Sequence, residues 1–325
     1  MKAEIVLLAG VTTGIVAACG LKAPGPAPGR PSAAQLGNGS FTAELNGFRI
    51  HFEVHGQGPV LMTLPNSWGL SLEGLRAMFR PLEERLTLVY FDPRGMGESD
   101  LVRQDSDRGM AAVRADFEAL RLHLGLGKVA AIGWSNGAIN LIHLAHEHPQ
   151  ALSTAIFVHG VASFTAEDSQ QVQASHPELT KRYTAFLKAV SAPEKTPEEK
   201  TGLLRHTWLE DYLPATCADP EAMRPRIAEL FRDAELSWAH VEYSNQEAGI
   251  FDARDELSGI PVRSLVIAGR HDMLPPERVK TLADGLPNAT LRVFEKSGHF
   301  APVEEPQAFK AAIHGFLGVS ASGGP

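Results

Sequence analysis

The run Val129-Ala130-Ala131-Ile132-Gly133-Trp134-Ser135-Asn136-Gly137-Ala138 constrains this chain more than any other stretch. An apolar, strand-like segment ends in G-x-S-x-G, and a helix-like segment follows at once. Glycines on both sides of a serine let a strand turn straight into a helix where larger side chains would collide. The serine then stands clear of the sheet. The N–H of Asn136, at the start of the following helix, points toward any negative oxygen that forms near Ser135. A plain Gly-Ser-Gly turn would use the same letters, but it does not call for the strand before and the helix after. Ser135 is the candidate nucleophile, with Asn136 as one oxyanion donor.

A serine hydroxyl is a weak nucleophile until a neighbouring base takes its proton. Two later strand-then-turn segments supply that base and an acid to orient it. Pro261 to Gly269 reads as a buried strand ending in glycine and runs into Arg270-His271-Asp272. Thr290 to Phe294 is a second apolar stretch and runs into Glu295-Lys296-Ser297-Gly298-His299. The chain order is therefore Ser135, Asp272, His299, each after a strand. That order, with the setting of Ser135, resembles the α/β-hydrolase superfamily over about residues 41–318. The resemblance implies an α/β fold: a mostly parallel sheet with helices on both faces and an inserted helical cap. It also implies acyl transfer in two steps, with His299 moving the Ser135 proton and Asp272 holding the imidazole tautomer. His271 precedes the last strand, where the family places its acid, and is read as a flanking residue. Asp252 and Asp255 are weaker candidates for the acid, because no strand precedes them.

Asp92-Pro93-Arg94-Gly95-Met96-Gly97-Glu98-Ser99, after the strand-like Leu86 to Phe91, resembles the D-x-R-G-x-G-x-S turn of the same superfamily. It is best known in proline-iminopeptidase-like groups. Its role is read as structural, with Asp92 and Arg94 satisfying turn backbone groups or each other. One segment departs from the family pattern. After the strand Pro59 to Leu64, relatives carry His-Gly before the second oxyanion donor, whereas this chain has Pro65-Asn66-Ser67. Matching position by position makes the Asn66 N–H the donor and Ser67 the fallback, since Pro65 has no N–H. Losing one such donor lowers turnover by about 10²–10³-fold. Trp68 either walls the pocket or packs.

Composition sets the outer bounds. The chain has 325 residues and a formal net charge of -8. That charge, with no Lys/Arg-rich patch, argues against nucleic acid as a partner. Gly95-Met96-Gly97 lacks the third glycine and the helix of a phosphate loop. His143 and His146 share a helical face without a carboxylate or third ligand, so no metal and no cofactor are expected. The substrate is expected to be a small molecule or short peptide.

The N-terminus carries a separate signal. Lys2 precedes an apolar run, Ile5 to Ala18, too short for a comfortable membrane span. Val16-Ala17-Ala18-Cys19-Gly20 resembles a bacterial lipobox, which implies lipidation of Cys19 and an envelope lipoprotein anchored to a membrane. Residues 1–19 are then a signal peptide and 20–40 a Pro/Gly/Ala-rich tether. Ordinary cleavage to a periplasmic or secreted soluble form is the alternative. Cys19 and Cys217 are the two cysteines; Cys217 is read as a lone packed thiol.

Asn46-Gly47 between Phe41–Glu44 and Phe48–Val54 predicts a β-hairpin. Strand and helix patterns then alternate to His159, with helices over Asp107 to Leu124 and Asn136 to His148 and a strand over Ala155 to His159. The hydrolase core is assigned to residues 41–163 and 258–318, the cap to 164–257 and a flexible tail to 319–325. The cap pattern is helical, notably at Leu179 to Val190 and Ala222 to Asn245. Trp208, Tyr212, Phe231, Trp238 and Tyr243 are its candidates to line the pocket. The reading is a serine hydrolase of a small ester or amide, with a proline-iminopeptidase-like aminopeptidase as the alternative. The resemblance to proline iminopeptidases implies acidic lid residues that hold the substrate ammonium, and Glu210, Asp211, Glu235 and Glu247 are available. A reading of another class is a ligand receptor or sensor on the same fold.

Overall fold

The computed structural model describes residues 37–248 and 251–319. The expected signal peptide, Cys19 and the tail from residue 320 lie outside them. The Asn46-Gly47 turn opens the fold as a hairpin. β1 (Gly39–Leu45) pairs antiparallel with β2 (Phe48–Gly56), with Leu45 opposite Phe48. Both turn residues have positive φ, +50° at Asn46 and +81° at Gly47, as a two-residue hairpin requires. The strand already begins at Gly39, inside the stretch assigned to the tether.

β3 (Val60–Leu64), β4 (Thr87–Phe91), β5 (Val129–Trp134), β6 (Leu152–Val158), β9 (Arg263–Gly269) and β10 (Ala289–Phe294) add parallel strands. The sheet order is β1-β2-β4-β3-β5-β6-β9-β10, and β2 meets β4 antiparallel. Alternate residues of the central strands face opposite cores, the period of two that a pleated strand imposes. Leu61, Leu88, Ile132, Ile156 and Ile267 enter one core. Met62, Val89, Ala131, Phe157 and Val266 enter the other. The first packs under α1 (Leu72–Phe79) and α13 (Pro306–Leu317). The second packs under α2 (Met110–His123), α3 (Asn136–Glu147) and α11 (Pro276–Gly285). α12 (Ala301–Glu304) is one turn leading into α13.

Between β6 and β9 the chain is largely helical. It runs through α4 (Ala166–Ser175), α5 (Pro177–Val190), α6 (Pro197–Thr207), α7 (Leu213–Ala215), α8 (Pro220–Leu230), α9 (Trp238–Ala248) and α10 (Arg254–Leu257). A wide π turn, Trp208–Tyr212, joins α6 to α7. Where this insert leaves and rejoins the core, β7 (Ser163–Phe164) pairs antiparallel with β8 (Phe251–Asp252). Ala222 to Asn245 is two helices and not one. The chain breaks after Leu230 so that Leu236 bridges Leu70 and the Glu235 N–H reaches Ser71 Oγ at 2.9 Å.

The Asp92–Ser99 turn is structural, but Asp92 and Arg94 do not pair with each other. Asp92 accepts from His51 Nδ1 at 2.7 Å and from the Leu72 N–H at 2.8 Å. Arg94 makes two 2.8 Å bonds to Asp116. The α2 helix begins at Met110 and not at Asp107, because the Asp107 carboxylate is spent on the N–H groups of Arg103 and Gln104.

Candidate active site

The parallel strands end on one side of the sheet, and their C-terminal turns carry the candidate residues. Ser135 sits between β5 and α3 with φ +54° and ψ -120°, a conformation costly for a residue with a side chain. Packing around the turn enforces it. A Cβ at Gly133 would stand 2.6 Å from the carbonyl carbon of Gly137, and one at Gly137 would stand 2.6 Å from the Leu64 oxygen. The two glycines are required by the approach of α3 to β5 and β3.

The three residues separated in sequence converge here. Ser135 Oγ lies 3.0 Å from His299 Nε2, and His299 Nδ1 lies 2.9 Å from Asp272 Oδ2 and 3.0 Å from Oδ1. With Nδ1 donating to the carboxylate, Nε2 is left to accept from the serine hydroxyl. Asp272 is wholly buried. Burial alone would raise its carboxyl; the charge of His299 and hydrogen bonds from His159 and His299 outweigh that and hold it well below the usual carboxylate range. The His299 loop is fixed from several sides. Glu304 accepts the N–H groups of Gly298 and Phe300 at 2.9 and 3.0 Å, and Glu305 accepts the Lys296 N–H at 3.0 Å. Trp134 Nε1 donates to the His299 carbonyl at 2.9 Å.

The loop that departs from the family pattern is held by a reciprocal pair of asparagines. Asn66 Oδ1 accepts the Gly137 N–H at 3.0 Å, while Asn136 Oδ1 accepts both the N–H and the Oγ–H of Ser67 at 2.9 Å. The Ser67 N–H is therefore occupied and does not serve as the fallback donor. Asn66 lines the pocket beside Ser135. The Asn136 N–H opens α3 and is one of the first N–H groups that a helix leaves without an intrahelical partner.

A family profile described as the alpha/beta hydrolase fold matches residues 60–306, a span that holds all three residues. The chain belongs to the alpha/beta hydrolase fold family. It is 25% identical over 238 residues to a proline iminopeptidase of Lactiplantibacillus plantarum, covering 71% of this chain and 81% of that protein. It is 28% identical over 280 residues to a putative carbamate hydrolase of a Caulobacter species, covering 82% of this chain and 95% of that protein. A solved alpha/beta fold family hydrolase of Bacillus anthracis superposes with a TM-score of 0.71 at 21% identity, covering 86% of this chain and 99% of that one. With such relatives the chain is a hydrolase enzyme.

The pocket of this hydrolase is roofed by its helical insert. Trp208, Leu209, Tyr212, Leu213, Phe231 and Leu236 close over Asn66, Trp68, Trp134, Ser135 and His299. Three of the five candidate aromatics thus line it, while Trp238 and Tyr243 do not. Trp68 does both things open to it, walling the pocket and packing 5.5 Å from Trp208. Among the described residues no carboxylate lines the pocket. The four candidate acids are engaged elsewhere. Glu235 accepts the Gly97 N–H, Glu247 the Met110 N–H, Asp211 faces Arg182 and Glu210 faces His206. Cys217 is buried beside the site, and burial pushes its thiol far up, so it stays protonated.

One titratable residue at the site was not singled out from sequence. His159, the first residue past β6, is fully buried, and its Nδ1 lies 2.8 Å from Asp272 Oδ2. A histidine ending a buried strand beside the nucleophile strand is the signal that was there to read. Among the described residues, His159, Asp272 and His299 are also the one trio with metal-ligand potential, but their ligand atoms already hydrogen-bond one another.

Proposed function

We propose that this hydrolase cleaves small, uncharged esters with an apolar acyl group, through an acyl-enzyme on Ser135. In this reading His299 accepts the Ser135 proton as Oγ attacks the ester carbonyl, then delivers it to the departing alkoxide. Asp272 stays ionised and stabilises the imidazolium. The N–H groups of Asn66 and Asn136 receive the oxyanion of the tetrahedral intermediate. Water repeats the sequence on the acyl-enzyme and releases the acid.

The observation that carries this reading is Ser135 Oγ 3.0 Å from His299 Nε2, on the floor of a pocket walled by tryptophan, phenylalanine and leucine side chains. The iminopeptidase relative favours a second reading, removal of an N-terminal residue from a peptide. The free amine of such a substrate would enter an apolar pocket without a carboxylate to pair with, at a penalty of several kcal/mol. An ester brings no charge and meets no such penalty.

Turnover of p-nitrophenyl butyrate and hexanoate beside proline p-nitroanilide separates the two. We expect kcat/KM for the esters to exceed that for the anilide by at least about 100-fold, equivalent to about 2.7 kcal/mol. Ser135→Ala is expected to remove about 10⁴-fold or more of the ester turnover. Preference for the anilide would establish the peptidase instead. Ester turnover that survives Ser135→Ala would place the nucleophile elsewhere.

A further inference from the structure

We propose that His159 is a positioning residue for this chemistry: a neutral second imidazole that fixes the Asp272 carboxylate for His299. The inference rests on the assignment of Ser135, His299 and Asp272 above. Three donors converge on one buried carboxylate. Asp272 Oδ2 accepts from His299 Nδ1 at 2.9 Å and from His159 Nδ1 at 2.8 Å, while Oδ1 accepts from the Leu274 N–H at 3.0 Å. A triad needs only the first of these. The second comes from a different strand end and approaches the same oxygen.

The tautomer of His159 follows from its other nitrogen. The Ala301 N–H donates to His159 Nε2 at 3.3 Å, so Nε2 is the acceptor and the single ring proton lies on Nδ1, facing Asp272. Burial lowers the affinity of the ring for a second proton, against the pull of Asp272. His159 therefore acts as a dipole and not as a cation. The backbone holds it there under strain, with φ +54° and its N–H bonded to the Ile267 oxygen at 2.9 Å. Its ring stands 5.2 Å from that of His299.

Two consequences follow. The carboxylate is braced against rotation, so the His299 imidazole keeps one orientation toward Ser135. The added N–H also draws negative charge away from the side of Asp272 that faces His299, weakening its hold on a second imidazole proton. The other titratable groups around the site do not substitute for His159. Glu304 is spent on the N–H groups of Gly298, Phe300 and Ala218, Tyr212 donates to the Met273 sulfur, and Cys217 is a neutral thiol. A buried histidine that merely fills space would share the burial and the strain, but would have no effect on the proton affinity of His299.

The test compares His159→Leu, which removes the donor, with His159→Asn. Asparagine tolerates positive φ and can place Nδ2 where Nδ1 now stands. The full chain is assayed with a p-nitrophenyl ester across pH, with thermal unfolding of each variant alongside. His159→Leu is expected to lower kcat by about 10–100-fold, the loss typical when a group that orients a functional histidine is removed. KM stays within about twofold, and the acidic limb of kcat/KM moves to higher pH. His159→Asn is expected to recover most of kcat and to return the limb toward its wild-type position. If the leucine variant does not fold, His159→Gly, free of the φ penalty, takes its place in the comparison. Equal kcat for the donor and non-donor variants, with the limb unmoved, would overturn the proposal and leave His159 as packing. Ser135→Ala separates the two levels. Full activity there sinks the triad assignment itself, whereas loss there with an unmoved limb sinks only the role of His159.

Discussion

At the scale of single residues, the site depends on what is missing from Gly137 as much as on what Ser135 carries. A methyl group at Gly137 would meet the Leu64 oxygen at 2.6 Å and Asn66 Oδ1 at 2.8 Å. Neither the backbone oxygen nor the bonded amide can step aside freely. Gly137→Ala is expected to push the β3 loop from α3, destabilising the fold by about 1–3 kcal/mol. Turnover should fall by about tenfold to 100-fold as the Asn66 N–H moves off the oxyanion position. Thermal unfolding with ester kinetics checks both; wild-type kcat in a destabilised variant would show that this contact does not set the oxyanion geometry. Ser135, Asp272 and His299 were legible in sequence because each follows a strand and sits in a turn whose glycines are visible. His159 and the Asn66–Asn136 clamp were not. Their partners lie far along the chain, 113 residues away for His159 and Asp272, and no local pattern encodes such a pairing.

At the scale of elements, the strands were easiest to read, because β3 to β6 and β9 are buried on both faces and so run continuously apolar. The hairpin was equally plain from Asn46-Gly47. The insert was harder, since helical letters run through a break that only tertiary contact with Leu70 and Ser71 explains. Ionic ties between elements were also hidden, and the bond from β2 to the turn after β4 is one with a measurable signature. His51 is buried, and its hydrogen bond to Asp92 raises its pKa above 6.5, against the opposing effect of burial. The folded state thus binds that proton more tightly than the unfolded chain. The contribution is complete below about pH 6.5 and fades as pH rises through the folded value. The stability difference between wild type and His51→Gln, from urea unfolding, is therefore expected to be larger near pH 5.5 than near pH 8.5. A difference that stays constant across that range would contradict the pairing.

At the scale of the whole molecule, the sheet supplies five strand ends, β3, β5, β6, β9 and β10, and the insert supplies the roof. The pocket between them is small, about 30 Å³, and its lining is mostly apolar. In the proposed reaction the Trp208–Leu213 and Phe231–Leu236 segments of the insert would face the acyl group and set its length. The family and its reaction class were legible from three short segments, whereas the uncharged character of the pocket emerged only when four candidate acids proved to be engaged elsewhere. The proposed reaction depends on Ser135 as the activated nucleophile. Treating the protein with a fluorophosphonate and mapping the adduct by peptide mass spectrometry locates the reactive residue. One adduct per chain is expected, on Ser135, with loss of ester turnover in proportion and no adduct in Ser135→Ala. An adduct on another residue, or ester turnover that persists with Ser135 fully modified, would contradict it.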